Sequence, residues 1–269
     1  MEKAITYNGG IVMYADNGQG NPILLLHGYL ESQEIWFSFT EKLIKQGHRV
    51  ITLDLPGHGF SGSVGSEHTM DHLAGAVNTV LLEQKVEKCL VVGHSMGGYV
   101  ALAFAKVYPE KLAGLCLFHS TPNPDSEEKK ANRDREIELI KAGKKELIVK
   151  THIPNAFAKE NLKRCTDMVE EATLMALETE NEGIIANLNG MKSRPDSTEF
   201  LKTVTQPVLM IFGAKDSYIV PEVASELANK FSMHSTVILE NSGHMGFIEE
   251  EKRSIEIISE FEKKVFGTI

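Results

Sequence analysis

The sequence predicts an α/β protein: a mostly parallel eight-stranded sheet with helices on both faces and a helical insertion after the sixth strand. Three observations predict it. Short β-prone runs alternate with longer segments of helical period, an Asn-Gly pair joins the first two runs, and one long stretch in the second half carries no strand signal. A chain of 269 residues with 42% apolar types is long enough to bury a large core of this kind.

Each element follows from its own stretch. Ala4 to Tyr7 and Ile11 to Ala15 flank Asn8-Gly9-Gly10, and Asn-Gly favours the tight turns that join antiparallel strands, so the chain starts with a hairpin. Further apolar runs lie at Pro22 to Leu26, Arg49 to Leu53, Cys89 to Val92, Leu112 to Phe118, Pro207 to Phe212 and Thr236 to Leu239. Their continuous apolar character marks parallel strands covered on both faces. Met70, Leu73, Ala74, Val77 and Leu81 recur at three- and four-residue steps, the stripe of a helix lying on a sheet. Met96 to Val107 is apolar almost all round and reads as a buried helix. Glu249 to Val265 sets Ile255, Ile258, Phe261 and Val265 on one side, which reads as a closing surface helix.

No strand is expected between Thr121 and Pro195. This divides the chain into a core formed by residues 1–120 and 201–269 and a helical cap of residues 121–200. The first part of the cap, Asp125 to Lys150, is dense in mixed charge and reads as a solvated helical surface. The later part, with Leu162, Met168, Leu174, Met175, Leu188 and Met191 among its apolar residues, is expected to turn an inward face toward a pocket.

Composition excludes several classes of partner. The formal charge of −9 argues against nucleic acid or an anionic membrane, both of which need a basic footprint. No stretch approaches the roughly 20 apolar residues of a membrane span, and the N-terminus lacks the apolar core of a signal peptide. Cys89, Cys116 and Cys165 read as reduced thiols. A cytoplasmic protein acting on a small molecule is expected, of open oligomeric state. Neither H-E-x-x-H nor clustered Cys/His spacing occurs, so no metal and no cofactor are expected.

The chemistry-bearing signal is Gly93-His94-Ser95-Met96-Gly97-Gly98, directly after a strand and directly before a buried helix. G-x-S-x-G in that setting is a nucleophile elbow: the turn projects the serine hydroxyl from the C-terminal edge of the sheet, and glycines remove side chains that would collide with nearby backbone. The helix that starts there also points free N–H groups at developing negative charge.

With His27-Gly28 after Ile23 to Leu26, Asp54-Leu55-Pro56-Gly57-His58-Gly59-Phe60-Ser61, this elbow, Gly213-Ala214-Lys215-Asp216 and Ser242-Gly243-His244, the chain resembles the α/β-hydrolase fold superfamily over essentially its whole length. It is similar to the branch with a cap after the sixth strand. The resemblance implies a nucleophile, acid and histidine in that order, here Ser95, Asp216 and His244. A serine hydroxyl needs a base to take its proton, and the base needs an orienting acid. Asp125 competes as the acid because some related enzymes carry it after the sixth strand, and Glu240 lies close to His244 in sequence. The oxyanion hole is expected from the backbone N–H groups of Tyr29 and Met96. Trp36, His119 and Met175 are candidates for the substrate pocket; His27, His58 and His94 read as structural, and His152, like His119, borders the insertion.

Relatives with aspartate at the elbow act on haloalkanes and epoxides, and Ser95 disfavours both. The first reading is a carboxylic-ester hydrolase working through an acyl-enzyme beneath an apolar lid. A second is hydrolysis of a carbon–carbon bond in a β-diketone-like substrate, since such enzymes share the Ser-Met-Gly-Gly elbow. Haloperoxidase-like activity is weakened by Leu30 after Tyr29, where a proline is looked for. A reading of another class is a small-molecule receptor or signalling partner that retains the three residues.

Overall fold

Asn8 and Gly9 both take positive φ, 48° and 87°, and close the tight turn between β1 (Glu2–Tyr7) and β2 (Gly10–Gly18). This computed structural model describes residues 2–267. The chain continues through β3 (Pro22–Leu26), α1 (Phe37–Lys45), β4 (Arg49–Leu53), α2 (Met70–Glu83), β5 (Cys89–His94), α3 (Met96–Val107) and β6 (Leu112–Phe118). After the insertion come β7 (Val208–Gly213), α9 (Pro221–Lys230), β8 (Ser235–Leu239), α10 (Gly246–Glu249) and α11 (Glu251–Phe266). Eight strands form one sheet in the order β1-β2-β4-β3-β5-β6-β7-β8. The first two pairings, β1 with β2 and β2 with β4, are antiparallel and all others are parallel.

The central strands β3, β5 and β7 are buried along nearly their whole lengths, which is why they read as continuous apolar runs. α2 packs against α3, and α1 against α11, so helices cover the sheet as a crossover topology requires. The strand order puts the C-terminal ends of β3, β5, β6, β7 and β8 along one edge, where the loops that follow them meet.

Two expectations change. The closing helix is broken at Glu250 (φ −127°, ψ 49°) rather than continuous from Glu249. The cause is side-chain contact: the Glu250 carboxylate accepts the N–H of Asn241 and the hydroxyl of Ser242, and the Glu249 carboxylate accepts the N–H groups of Gly243 and, from the insertion, Ala158, so both side chains fold back onto the loop between β8 and α10. Helices α1 and α9 were not anticipated. Both are short, and α9 starts on Pro221, whose missing N–H is no loss at a first helical position.

Between β6 and β7 lie α4 (Glu127–Lys141), α5 (Lys145–Ala156), α6 (Thr166–Glu178), α7 (Asn181–Ser193) and α8 (Thr198–Thr203), with no strand among the described residues. α4 packs against α7, and α5 against α6. No helix among the described residues is long and apolar enough to cross a membrane.

Candidate active site

Ser95 stands between β5 and α3 with φ 50° and ψ −113°, a conformation that a side-chain-bearing residue seldom adopts. The surroundings impose it: Ser95 N–H donates to the Phe118 carbonyl at 3.0 Å, and the Ser120 hydroxyl donates to the Ser95 carbonyl at 2.7 Å. The elbow also needs its glycines. A Cβ on Gly93 would lie 2.3 Å from the Gly97 carbonyl oxygen, and one on Gly97 would lie 2.4 Å from the Leu26 carbonyl oxygen.

His244 follows β8, and its Nδ1 lies 2.7 Å from Asp216 Oδ2. Asp216 follows β7 and is 2% exposed. Its second oxygen accepts the N–H groups of Tyr218 and Ile219 at 2.8 and 3.0 Å. Oδ2 is also 3.1 Å from Nδ1 of His119, so the carboxylate faces four N–H groups. Burial alone would raise its pKa; the adjoining His244 and His119 outweigh that and hold it far below the usual carboxylate range.

His119 therefore lies behind the acid, fully buried, rather than on a pocket wall as expected. Its Nε2 accepts the N–H of Gly246 at 3.2 Å, so Nδ1 carries the proton and donates to Asp216. Burial presses its pKa down to about 4. Donor atoms of His119, Asp216 and His244 lie within 4.8 Å of one another, and those facing the carboxylate are engaged in these mutual hydrogen bonds.

A cavity of about 490 Å³ opens over this edge of the sheet, and Ser95 and His244 both line it. Tyr29, Leu30 and Met245 border its floor, while Arg133 and Glu136 of α4 and His152 of α5 form part of its roof. Met96, whose N–H is expected to complete the oxyanion hole with that of Tyr29, is buried at the first position of α3.

Two further pocket candidates lie elsewhere. Trp36 is fully buried against Phe247, with ring centroids 4.2 Å apart, and against Phe39, so it anchors the core. Met175 faces the loop after β3, where its sulfur accepts the Ser32 N–H at 3.1 Å. The acid competitors are also placed: Asp125 is buried in ion pairs with Arg133 and Arg194, and Glu240 is exposed. His27 donates Nδ1–H to the Gly28 carbonyl and accepts the Leu55 N–H, which braces two loops.

The roof departs from expectation in character. The mixed-charge helix α4 lines the cavity with Lys129, Asn132, Arg133, Glu136 and Leu139; of the apolar half Met191 reaches it as expected, whereas Leu174 is 63% exposed and Ile184 and Leu188 are buried away from it. Glu136 Oε1 lies 3.0 Å from His152 Nε2, Tyr218 OH donates to the His152 carbonyl at 3.0 Å, and the Tyr218 ring meets that of His244 at 5.0 Å. A scan for apolar stripes misses such a helix. No sequence signal singles out this face, because nearly every residue from Glu127 to Glu136 is polar.

Comparison with known proteins agrees with this architecture. A family model described as alpha/beta hydrolase fold matches residues 21–139. A thermophilic esterase from Thermogutta terrifontis, solved with malate bound, is 31% identical and superposes with a TM-score of 0.93 over 98% of this chain and 99% of that one. A pimeloyl-[acyl-carrier protein] methyl ester esterase from Aliivibrio salmonicida is 29% identical, over 91% of this chain and 93% of its own. A bromoperoxidase from Bacillus anthracis, 19% identical, shares the fold with a TM-score of 0.88 over 98% of this chain and all of its own. The chain belongs to the α/β-hydrolase fold family and is an esterase-like hydrolase.

Proposed function

We propose that this protein hydrolyses small to medium carboxylic esters through an acyl-enzyme on Ser95. The observation that carries the reading is the 2.7 Å contact between His244 Nδ1 and Asp216 in a cavity wall that Ser95 and His244 share. With its proton on Nδ1 held by the carboxylate, His244 keeps Nε2 free as the base. Ser95 Oγ attacks the ester carbonyl as its proton passes to Nε2, and the resulting oxyanion is received by the N–H groups of Met96 and Tyr29. His244 then protonates the departing alcohol. Water enters, loses a proton to the same nitrogen and attacks the acyl carbonyl, and the intermediate releases the acid as the acyl–oxygen bond breaks and His244 returns the proton to Ser95 Oγ.

Residues 121–200 serve as a cap on the core of residues 1–120 and 201–269, with its second boundary inside α8. The cavity volume suits a small ester, and the polar roof favours one whose non-reacting end forms hydrogen bonds. The malate bound to one relative is in keeping with such a polar, small substrate. A panel of p-nitrophenyl and methyl esters tests the reading: turnover on the shorter esters, lost by at least about 10³-fold in Ser95→Ala and His244→Ala, is expected. Equal turnover by wild type and Ser95→Ala would reject it.

A further inference from the structure

Beneath the elbow lies a titratable pair that the steps above do not use. Glu31 and His94 are 4% and 0% exposed. His94 Nδ1 lies 3.0 Å from both Glu31 oxygens, and His94 Nε2 lies 2.9 Å from the backbone carbonyl of His244. Glu31 Oε2 also accepts the N–H of Gly28 at 2.6 Å. The pair thus touches three separate loops. Gly28 precedes the expected oxyanion donor Tyr29, His94 precedes Ser95, and the accepting carbonyl belongs to His244 itself. Gly28 makes the closeness feasible, because a Cβ there would come 2.9 Å from His94 Nδ1 and 3.0 Å from each Glu31 oxygen.

Hydrogen-bond bookkeeping constrains the protons. A carbonyl oxygen only accepts, so His94 Nε2 must carry a proton. The Gly28 N–H only donates, so Glu31 Oε2 receives it. What remains is one proton between Nδ1 and the carboxylate, and at 3.0 Å from both oxygens Nδ1 is placed as the donor.

We infer that Glu31 and His94 form a buried carboxylate–imidazolium pair, a positioning unit that locks the oxyanion loop, the nucleophile elbow and the histidine loop in register. Burial opposes both charges, but each partner stabilises the other: the Glu31 carboxyl is held below its ordinary value and the His94 imidazole above its own. The titratable groups around His94 are Glu31, His27, His119, Asp216 and His244; its other ring neighbours are Trp36 and Phe247. The His94 ring centroid is 5.0 Å from that of His244.

The kinetic part rests on the esterase reading; the protonation part does not. Histidine-selective ¹⁵N NMR of the wild-type protein between pH 6 and 8.5 is expected to show one buried imidazole that keeps both ring protons throughout. Glu31→Gln should reduce that ring to one proton. In the same variant kcat for p-nitrophenyl acetate should fall about tenfold with KM nearly unchanged. A wild-type His94 with a single ring proton at pH 7 overturns the inference even if the variant does not fold. So does a folded Glu31→Gln protein with unchanged kcat, or one whose His94 ring keeps both protons. Absence of ester turnover in the wild type, with both ring protons present, would instead reject the esterase reading alone.

Discussion

At the scale of single residues, two buried carboxylates divide the work. Asp216 is surrounded by N–H groups from His244, His119, Tyr218 and Ile219, and so is suited to orient a base. Asp125 is spent on two guanidinium groups: Arg194 at 2.7 Å and Arg133. Replacing Asp125 by Asn leaves two close cations without their shared anion, and this should cost about 3 kcal/mol of stability in urea denaturation. The catalytic step should change little, whereas Asp216→Asn should lower kcat by several orders of magnitude. Equal kcat losses in the two variants would mean that the acid has been wrongly assigned. His119 gives a pH signature. Its folded-state pKa of about 4 lies below the ordinary 6.5, so the unfolded chain takes up this proton first. The stabilisation is whole above pH 6.5 and is lost as the pH falls toward 4. Unfolding free energy should therefore drop across that window, and less steeply in His119→Asn, a residue that tolerates the φ of 48° at this position. Identical slopes would contradict this role. Ser95 could be picked out as a candidate because its motif directly follows a strand, and Asp216 and His244 through the family resemblance, each in a loop shortly after a strand. The position of His119 behind Asp216 was not legible, since nothing in the chain order tells which side of a carboxylate a second imidazole takes.

At the scale of elements, the insertion between β6 and β7 is fastened to the loops after β4 by one face of α7. Gly183 and Gly190 lie on that face, seven residues apart, with Asn187 between them. The Asn187 amide donates to the Pro56 carbonyl at 2.9 Å. A Cβ on Gly183 would sit 2.1 Å from the Gly57 carbonyl oxygen, and one on Gly190 would sit 1.7 Å from that of His68. Backbone cannot yield as a flexible side chain can, so Gly190→Ala should lift α7 from the core. The expected result is a lower Tm together with faster hydrogen exchange in α7 than in β5; wild-type exchange in α7 would refute the docking role. Strands and the helices α2 and α3 were read from sequence because burial on the sheet imposes a hydrophobic period. α4 could not be read that way, because its cavity-facing side is built from Lys129, Asn132, Arg133 and Glu136. A charged face at helical spacing looks the same whether it meets water or a polar cavity. The break at Glu250 was equally hidden, being caused by contacts with Asn241 and Ser242 from another loop.

At the scale of the whole molecule, the parallel sheet does the assembling. Its strand order gathers the ends of β3, β5, β7 and β8 at one edge, so Tyr29, Ser95, Asp216 and His244 come together although they are distant in the chain. The insertion after β6 then sets α4 and α5 over that edge and leaves a cavity of about 490 Å³. The sequence predicted this division between sheet and insertion, but it assigned the roof to the apolar half. The central claim is that Ser95 is a nucleophile activated by His244, and covalent labelling with a fluorophosphonate followed by intact-mass and peptide mapping tests it most directly. A single adduct on Ser95 is expected in the wild type, absent in Ser95→Ala and formed far more slowly in His244→Ala. An unlabelled wild-type protein, or an adduct on another residue that persists in Ser95→Ala, would contradict it.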